Sequence, residues 1–200
     1  MTLNGRVRHC RTSLVVLLVL ALGVTLSGIA VGAEVKVLED FTTITEIDGD
    51  IVNAAQRWRI RSFEDPVFTQ DAEVKASEPV SLKVEGVFAE NSTGTRFEIF
   101  LREEDQDLSG YERITVMLYP HKEVAASALQ LRLTSGGVRT GFYPTTDRST
   151  LPAGTWSKVT FNIPSIGDLD KTTLIELYLG RGNQPSYTFN IDTLALEKGQ

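Results

Sequence analysis

The chain has very few residues that could serve sulfur or imidazole chemistry. Its 200 residues include one cysteine, Cys10, and two histidines, His9 and His121. A single cysteine forms no disulfide within the chain, and a zinc site built from several cysteine and histidine ligands is nearly excluded. A Ser-His-Asp triad after residue 33 would have to use His121, and no Gly-x-Ser-x-Gly motif is present. We therefore predict no catalytic residue.

The first 33 residues have the organisation of a signal peptide. Arg6, Arg8 and Arg11 precede an apolar run over 14–26, and small residues follow as far as Ala33. A basic start, an apolar segment and a small-residue cleavage site are typical of export signals. We expect residues 1–33 to be removed and residues 34–200 to act in a secreted, periplasmic or extracellular setting. The alternative is an uncleaved membrane anchor, because the extended apolar run approaches the roughly 20 residues that span a bilayer.

Positive charge is also scarce. The chain has 20 Lys and Arg against 26 Asp and Glu, a net charge of −6, and the predicted signal carries basic residues and no acid. This balance argues against nucleic acid and anionic membrane surfaces as partners. The predicted exported part, residues 34–200, is long enough for one hydrophobic core, so we expect a single domain.

Alternating apolar and polar residues dominate the rest of the chain. Such alternation is typical of strands that bury one face, and turn-forming Gly, Pro, Ser and Asn residues separate the runs. Helical periodicity is confined to one turn within 121–128. Many short strands predict an all-β antiparallel sandwich or barrel. The clearest alternating runs are 57–61, 81–85, 96–102, 113–118, 129–133, 158–163 and 175–179.

An ordered series of short segments resembles a known fold family. The segments are 38–41, 81–84, 107–111, 151–156 and 187–192. In this order they are similar to the galactose-binding-like β-jelly-roll domains, which include many non-catalytic carbohydrate-binding modules of secreted glycosidases. The resemblance implies a two-sheet antiparallel β-sandwich across the whole predicted domain. It does not determine the ligand, since lectins, adhesion modules and assembly factors share the fold.

The resemblance also implies a structural calcium ion. Modules of this kind often hold Ca²⁺ between the first and last strands, through oxygen ligands. The matching residues are Glu39 or Asp40 in the first strand and Asp192 in the last, with Asp71 and Glu73 as further candidates from a loop. The alternative is that these acids end strands or face water.

Alternation also predicts a ligand-binding face. Sugars present apolar C–H patches and many hydroxyls, so proteins bind them with aromatic rings and planar amide, carboxylate and guanidinium groups. Outward positions of the later strands combine these groups, and a strand over 138–143 would add two more. The alternative is an ordinary solvated sheet face. The predicted ligand-binding residues are Tyr119, Gln130, Arg132, Arg139, Tyr143, Glu176, Tyr178 and, in the following turn, Arg181.

Three functions follow from these patterns. The favoured one is a secreted, non-catalytic carbohydrate-binding module with a structural calcium, whose partner is a polysaccharide or glycan. The second is a structural, adhesion or assembly module that binds an envelope or extracellular protein. The least favoured is a polysaccharide-degrading enzyme with two catalytic carboxylates. The stripe Arg57, Arg59 and Arg61 could attract an acidic polysaccharide or could be a solvated face balanced by nearby acids.

Overall fold

The fold is seen in a computed structural model. It describes residues 34–41, 44–47, 50–53, 58–62, 66–101 and 103–199. The predicted signal segment and Arg57 lie outside the described residues. Within the described ranges, no helix is both long and apolar enough to cross a membrane.

One sheet has six strands, all paired antiparallel. Strands β13, β8, β15, β6 and β5 are neighbours in that order, and β1 pairs with the far half of β15. The register of β15 shifts between Asp192 and Leu194, where Thr193 has a φ of 42°. The strands are β1 (Val35–Glu39), β5 (Val67–Asp71), β6 (Ser81–Val87), β8 (Arg113–Pro120), β13 (Ser157–Asn162) and β15 (Ser186–Glu197).

The second sheet has seven strands, also antiparallel. Its spatial order is β11, β10, β14, β7, β4, β3 and β2. Neighbours such as β7 and β14 are far apart in the sequence, as expected of a jelly roll rather than a series of hairpins. The strands are β2 (Ile44–Ile47), β3 (Asp50–Asn53), β4 (Trp58–Ser62), β7 (Gly94–Leu101), β10 (Leu129–Ser135), β11 (Val138–Phe142) and β14 (Thr172–Gly180).

Short elements connect the sheets. Strands β9 (Val124–Ala125) and β12 (Thr150–Leu151) form a two-stranded ribbon. Three single 3₁₀ turns occur at Glu103–Asp105, Ala126–Ala128 and Leu169–Lys171. The helical turn predicted within 121–128 is thus reduced to a 3₁₀ turn, preceded by a short strand.

The core lies between the two sheets. Alternate residues of each strand face inward, so that Leu131 and Ile175 of the seven-stranded sheet belong to the same apolar cluster as Val116 of the other sheet. Phe97 and Phe189 meet edge to face across the interior, with ring centroids 5.2 Å apart. Burial of each such side chain stabilises the fold by about 1.5–3 kcal/mol, which a chain without internal disulfides depends on.

Over its described residues, each predicted alternating run lies within a strand to within one residue, and the conditional strand over 138–143 is found at Val138–Phe142. The prediction of an all-β, two-sheet antiparallel sandwich is confirmed as well. Short strands in the first half of the chain, such as β2 and β3, carry too few residues to show a clear alternation.

Candidate functional site

The outer side of the seven-stranded sheet carries a dense group of polar side chains. We call it the polar sheet face. It is formed where β10, β14, β7 and β11 pair with one another, which brings distant parts of the sequence side by side. Its described members are Arg96, Glu98, Gln130, Arg132, Arg139, Glu176 and Tyr178.

Arg132 lies near the middle of this face and is held in a defined orientation. Its Nε donates a hydrogen bond to Gln130 Oε1 at 2.6 Å. Its guanidinium carbon lies 4.7 Å from the centre of the Tyr178 ring, so the cation stacks on the aromatic side chain. Together, Gln130, Arg132 and Tyr178 form a unit of amide, guanidinium and aromatic ring.

Glu176 is the deepest charged group of the face, with 1% of its surface exposed. Its Oε1 accepts a hydrogen bond from Arg139 Nη2 and lies 3.8 Å from Arg96 Nε. Its Oε2 is also buried and has no hydrogen-bond donor in the part of the chain that the structure describes. A buried acceptor without a donor is costly, and in native proteins it is commonly explained by a water, an ion or a ligand.

Glu98 lies directly opposite Glu176, on β7. Two acids in direct cross-strand contact repel each other unless cations intervene. Arg96 supplies one such cation, since its Nε lies 3.4 Å from Glu98 Oε1. The two glutamates and their arginines therefore form one mixed-charge cluster.

Two glycines leave room for the side chains of the face. Gly141 pairs with Arg132 across the sheet, and a Cβ there would lie 3.0 Å from Gln130 Nε2. A Cβ on Gly94 would lie 2.5 Å from Tyr178 Oη and 2.3 Å from the backbone oxygen of Leu179. The Tyr178 ring thus lies over backbone at one end of the face, where its hydroxyl donates to Thr93 Oγ1 at 3.0 Å.

The other two predicted residues that neighbour this sheet are placed at its margins. Arg181 follows β14, and its Nη1 donates to the carbonyl oxygens of Ala89 and Glu90 at 3.0 and 2.6 Å. It therefore fixes the turn at the Tyr178 end. Tyr143 directly follows β11 and is exposed over 62% of its surface.

Tyr119 does not belong to the polar sheet face. It is on β8 of the six-stranded sheet, opposite Asn190 of β15. Its ring packs against Trp156, with centroids 5.5 Å apart, and against His121. The prediction that placed Tyr119 with Gln130 and Tyr178 is wrong, because alternation shows which side of a strand is outward but not which sheet the strand joins.

On the outer side of the six-stranded sheet, the segment 72–80 contacts the region around Asp192 and Asn190, and we call this region the loop-covered face. Asp192 is fully buried there. Its Oδ2 accepts hydrogen bonds from the backbone N–H groups of Ala76 and Ser77 at 2.9 and 2.8 Å, and its Oδ1 accepts from Ser77 Oγ at 2.6 Å and Thr193 Oγ1 at 2.8 Å. Both oxygens of this carboxylate are therefore engaged by protein donors.

Asn190 and Asp71 extend the same network. Asn190 Nδ2 donates to Asp71 Oδ2 at 3.0 Å and to Ser81 Oγ at 2.8 Å, and its Oδ1 accepts from His121 Nε2 at 2.8 Å. Asp71 Oδ1 also accepts the backbone N–H of Val74 at 2.9 Å. The hydrogen bond from Val74 is the largest cause that lowers the pKa of Asp71, and the bond from Asn190 adds to it.

These contacts do not fit the predicted calcium site. Among the described residues, no three His, Cys, Asp or Glu side chains are grouped as metal ligands. Asp71 and Asp192 are occupied by hydrogen-bond donors, and Glu39 Oε1 accepts the N–H groups of Asp40 and Phe41 at 3.1 and 2.7 Å. Glu73 enters the network through its N–H, which donates to Asp71 Oδ1 at 2.9 Å, and Asp40 is exposed. The calcium ion stays a prediction from the resemblance.

An apolar cavity of about 250 Å³ opens at one end of the sandwich. Phe88, Leu118 and Leu179 are among the side chains that line it, and Arg181 and Gln184 lie at its rim. Most of its lining surface is apolar. The chemistry suited to a sugar chain is therefore concentrated on the polar sheet face.

Two residues of the polar sheet face escaped the sequence prediction, Arg96 and Glu98. The alternation in 96–102 did place them on the polar side of a strand. Their importance depends on the pairing of β7 with β14, which joins segments about 80 residues apart. No local pattern identifies that pairing.

Comparison with known proteins supports the fold. The sequence matches no family model and has no significant match to a curated protein. An exo-β-agarase structure has a TM-score of 0.55 and 12% identity, covering 82% of this chain and 25% of that one. The family 11 carbohydrate-binding module of Clostridium thermocellum, in complex with a β-1,3-1,4-mixed-linked tetrasaccharide, has a TM-score of 0.48 and 15% identity, covering 81% and 94%.

A CBM22-1 xylan-binding domain from Paenibacillus barcinonensis has a TM-score of 0.49 and 13% identity, covering 72% of this chain and 88% of that one. Identities this low show likeness of fold alone. At that level the predicted resemblance to β-jelly-roll carbohydrate-binding modules is confirmed.

Proposed function

We propose that this protein binds a polysaccharide on the polar sheet face, outside the cytoplasm and without cleaving it. The observation that carries the proposal is the unit of Gln130, Arg132 and Tyr178. A half-buried ring offers apolar surface to sugar C–H groups, while the amide and guanidinium beside it offer hydrogen bonds to hydroxyls. The unit is held by its own contacts, which lowers the cost of ordering on binding.

The deeper layer of the face supports the same proposal. Glu176 Oε2 lacks a donor among the described residues, and a sugar hydroxyl that reached it would supply one. Arg139, which covers Glu176, is exposed over 43% of its side chain and is therefore able to move with a ligand. Binding of a hydroxyl-rich chain would complete a network that the protein alone leaves incomplete.

Catalysis by the Glu98 and Glu176 pair is the second candidate. Glycoside hydrolysis needs one carboxyl group that is protonated to act as the acid. Arg96 lies within 4 Å of both glutamates, and Arg139 also contacts Glu176, so both carboxyl groups are already held in ion pairs within the face. Binding is therefore the function that this geometry supports best.

The test is affinity electrophoresis of the purified protein against a panel of soluble polysaccharides. We expect retention on at least one of them. Tyr178→Ala should weaken that retention about tenfold, the effect of losing one aromatic contact. Tyr119→Ala is the matched control, since it removes the same side chain from the other sheet, and its retention should equal that of the parent.

Three outcomes would contradict the proposal. The protein could show no retention on any polysaccharide, which would favour a protein partner. Tyr178→Ala could behave like the parent, which would move the site away from the polar sheet face. Release of reducing ends from a retained polysaccharide, lost in Glu176→Gln, would replace binding with hydrolysis.

A further inference from the structure

The two sheets differ in the kind of cation that their strands carry. The strands of the seven-stranded sheet contain five arginines and no lysine: Arg59, Arg61, Arg96, Arg132 and Arg139. The strands of the six-stranded sheet contain Lys36, Lys83, Lys158 and a single arginine, Arg113. Arginine is therefore concentrated in the sheet that bears the polar sheet face.

Positions 59 and 61 of the arginine stripe lie on β4, which pairs with β7 of that sheet. In the register of β4 with β7, Arg61 lies opposite Glu98 and Arg59 lies opposite Phe100. Positions directly opposite in an antiparallel pair belong to the same side of the sheet. Positions 59 and 61 of the stripe thus lie in register with β7, the strand that carries Arg96 and Glu98.

Arginines outnumber acids on this surface. The described cluster has Arg96, Arg132 and Arg139 against Glu98 and Glu176. Two of these arginines pair with the glutamates. The third, Arg132, adds to the positive charge of this surface, in a chain whose net charge is −6.

Among the described side chains of the polar sheet face, Arg132 is the arginine that forms no ion pair with an acid. It lies opposite Glu176 in the register, yet that glutamate pairs with Arg139 and Arg96 instead. No acid among the described residues forms an ion pair with Arg132. Its hydrogen bond to Gln130 uses Nε, so Nη1 and Nη2 of the guanidinium group are left to donate hydrogen bonds to a ligand.

We infer that the polar sheet face selects polysaccharides that carry carboxylate or sulfate groups, and that Arg132 is the residue that binds the anionic group. The planar guanidinium group binds carboxylate and sulfate oxygens through paired hydrogen bonds, which a lysine cannot do. A neutral sugar would not need an excess of guanidinium groups. This inference rests on the proposed function and adds the chemical class of the ligand.

The attraction between the polar sheet face and an anionic polymer must act at short range. Because the whole chain is acidic, its long-range field repels an anionic polymer rather than steering it to the face. Affinity should therefore depend on short-range, charge-assisted hydrogen bonds at Arg132 and its neighbours. Such contacts between partly exposed charges weaken in concentrated salt, where the screening length is about 3 Å at 1 M.

The test compares charged and neutral polymers that share a backbone. Polygalacturonate is paired with its methyl ester for the carboxylate comparison, and carrageenan is paired with chemically desulfated carrageenan for the sulfate comparison. We expect the purified protein to bind the charged member of at least one pair about tenfold more tightly than the neutral member, the effect of one charge-assisted contact. The comparison that shows the difference identifies the anion.

Two variants locate the effect. Arg132→Gln should remove the preference for the charged polymer. Arg132→Lys should keep only part of that preference, because a lysine ammonium group lacks the planar, bidentate geometry of the guanidinium group. Arg148→Gln is the matched control: it makes the same charge change on an exposed loop between β11 and β12 and should keep the parent preference.

Equal affinity for the charged and neutral members would overturn this inference and leave the proposed function standing. Equal effects of Arg132→Gln and Arg148→Gln would also overturn it, since net charge and not Arg132 would then explain the preference. Binding to none of the polymers in this test and in the wider panel would overturn the inference and the proposed function together.

Discussion

The outer faces of the two sheets are built from similar residues but differ in how well those residues are satisfied. On the loop-covered face, Asp192 and Asn190 have all their side-chain polar atoms bonded within the protein. On the polar sheet face, Glu176 keeps a buried oxygen without a described donor, and Arg132 has no described acid partner. The hydrogen-bond network around Asp192 and Asn190 is complete, whereas the polar sheet face has unused hydrogen-bonding capacity.

This difference separates a structural role from a binding role. A fully satisfied buried network stabilises one arrangement of the chain. An incomplete buried network destabilises the free protein, and a ligand that supplies the missing hydrogen-bond partner removes that destabilisation. We therefore expect substitutions on the loop-covered face to affect stability, and substitutions at the margin of the polar sheet face to affect binding.

Asp192→Ala should give the largest loss of stability. It leaves four donors around one buried position without their acceptor, so the free energy of unfolding should fall by about 3 kcal/mol or more. Urea unfolding measures this directly. Arg132→Gln, on the other face, should change the same quantity by less than about 0.5 kcal/mol, as expected for a half-exposed side chain outside the core. Similar losses for both variants would remove the distinction between the two faces.

Asp71 makes the stability of the loop-covered face dependent on pH. Its pKa is lowered in the folded state, mainly by the hydrogen bond from the Val74 N–H. The contribution of the carboxylate is therefore complete above the unfolded pKa of about 3.9 and is lost as the pH falls through the lowered pKa. The Tm of the parent should exceed that of Asp71→Asn at neutral pH, and the difference should shrink at about pH 3. A difference that does not change between these two pH values would contradict this account.

Calcium should give the smallest effect. The acids predicted as ligands are engaged by protein donors or exposed, and they form no described cluster. We therefore expect the Tm to be the same with excess EDTA and with millimolar Ca²⁺, the range of weak extracellular sites. A clear rise with Ca²⁺ that is lost in Asp192→Ala would restore the predicted calcium ion.

Local features of the molecule could be predicted from the sequence, while pairings between strands could not. Alternation correctly placed Gln130, Arg132, Glu176 and Tyr178 on one outward side because residues two apart in a strand share a face. It misplaced Tyr119, since outward residues of different sheets have the same pattern. It did not reveal the hydrogen bonds that Asp192 accepts from residues 76–77, because they join parts of the chain about 115 residues apart.

The most direct test of the difference between the two faces is a nuclear magnetic resonance titration of the labelled protein with an oligosaccharide of the polymer that it retains. We expect the amide and side-chain signals that shift to cluster on β7, β10 and β14, with Arg132 and Tyr178 among the largest changes. Signals of Tyr119, Asn190 and the segment 72–80 should stay in place. Shifts concentrated on those residues, or around the end cavity at Phe88 and Leu118, would contradict the assignment of binding to the polar sheet face.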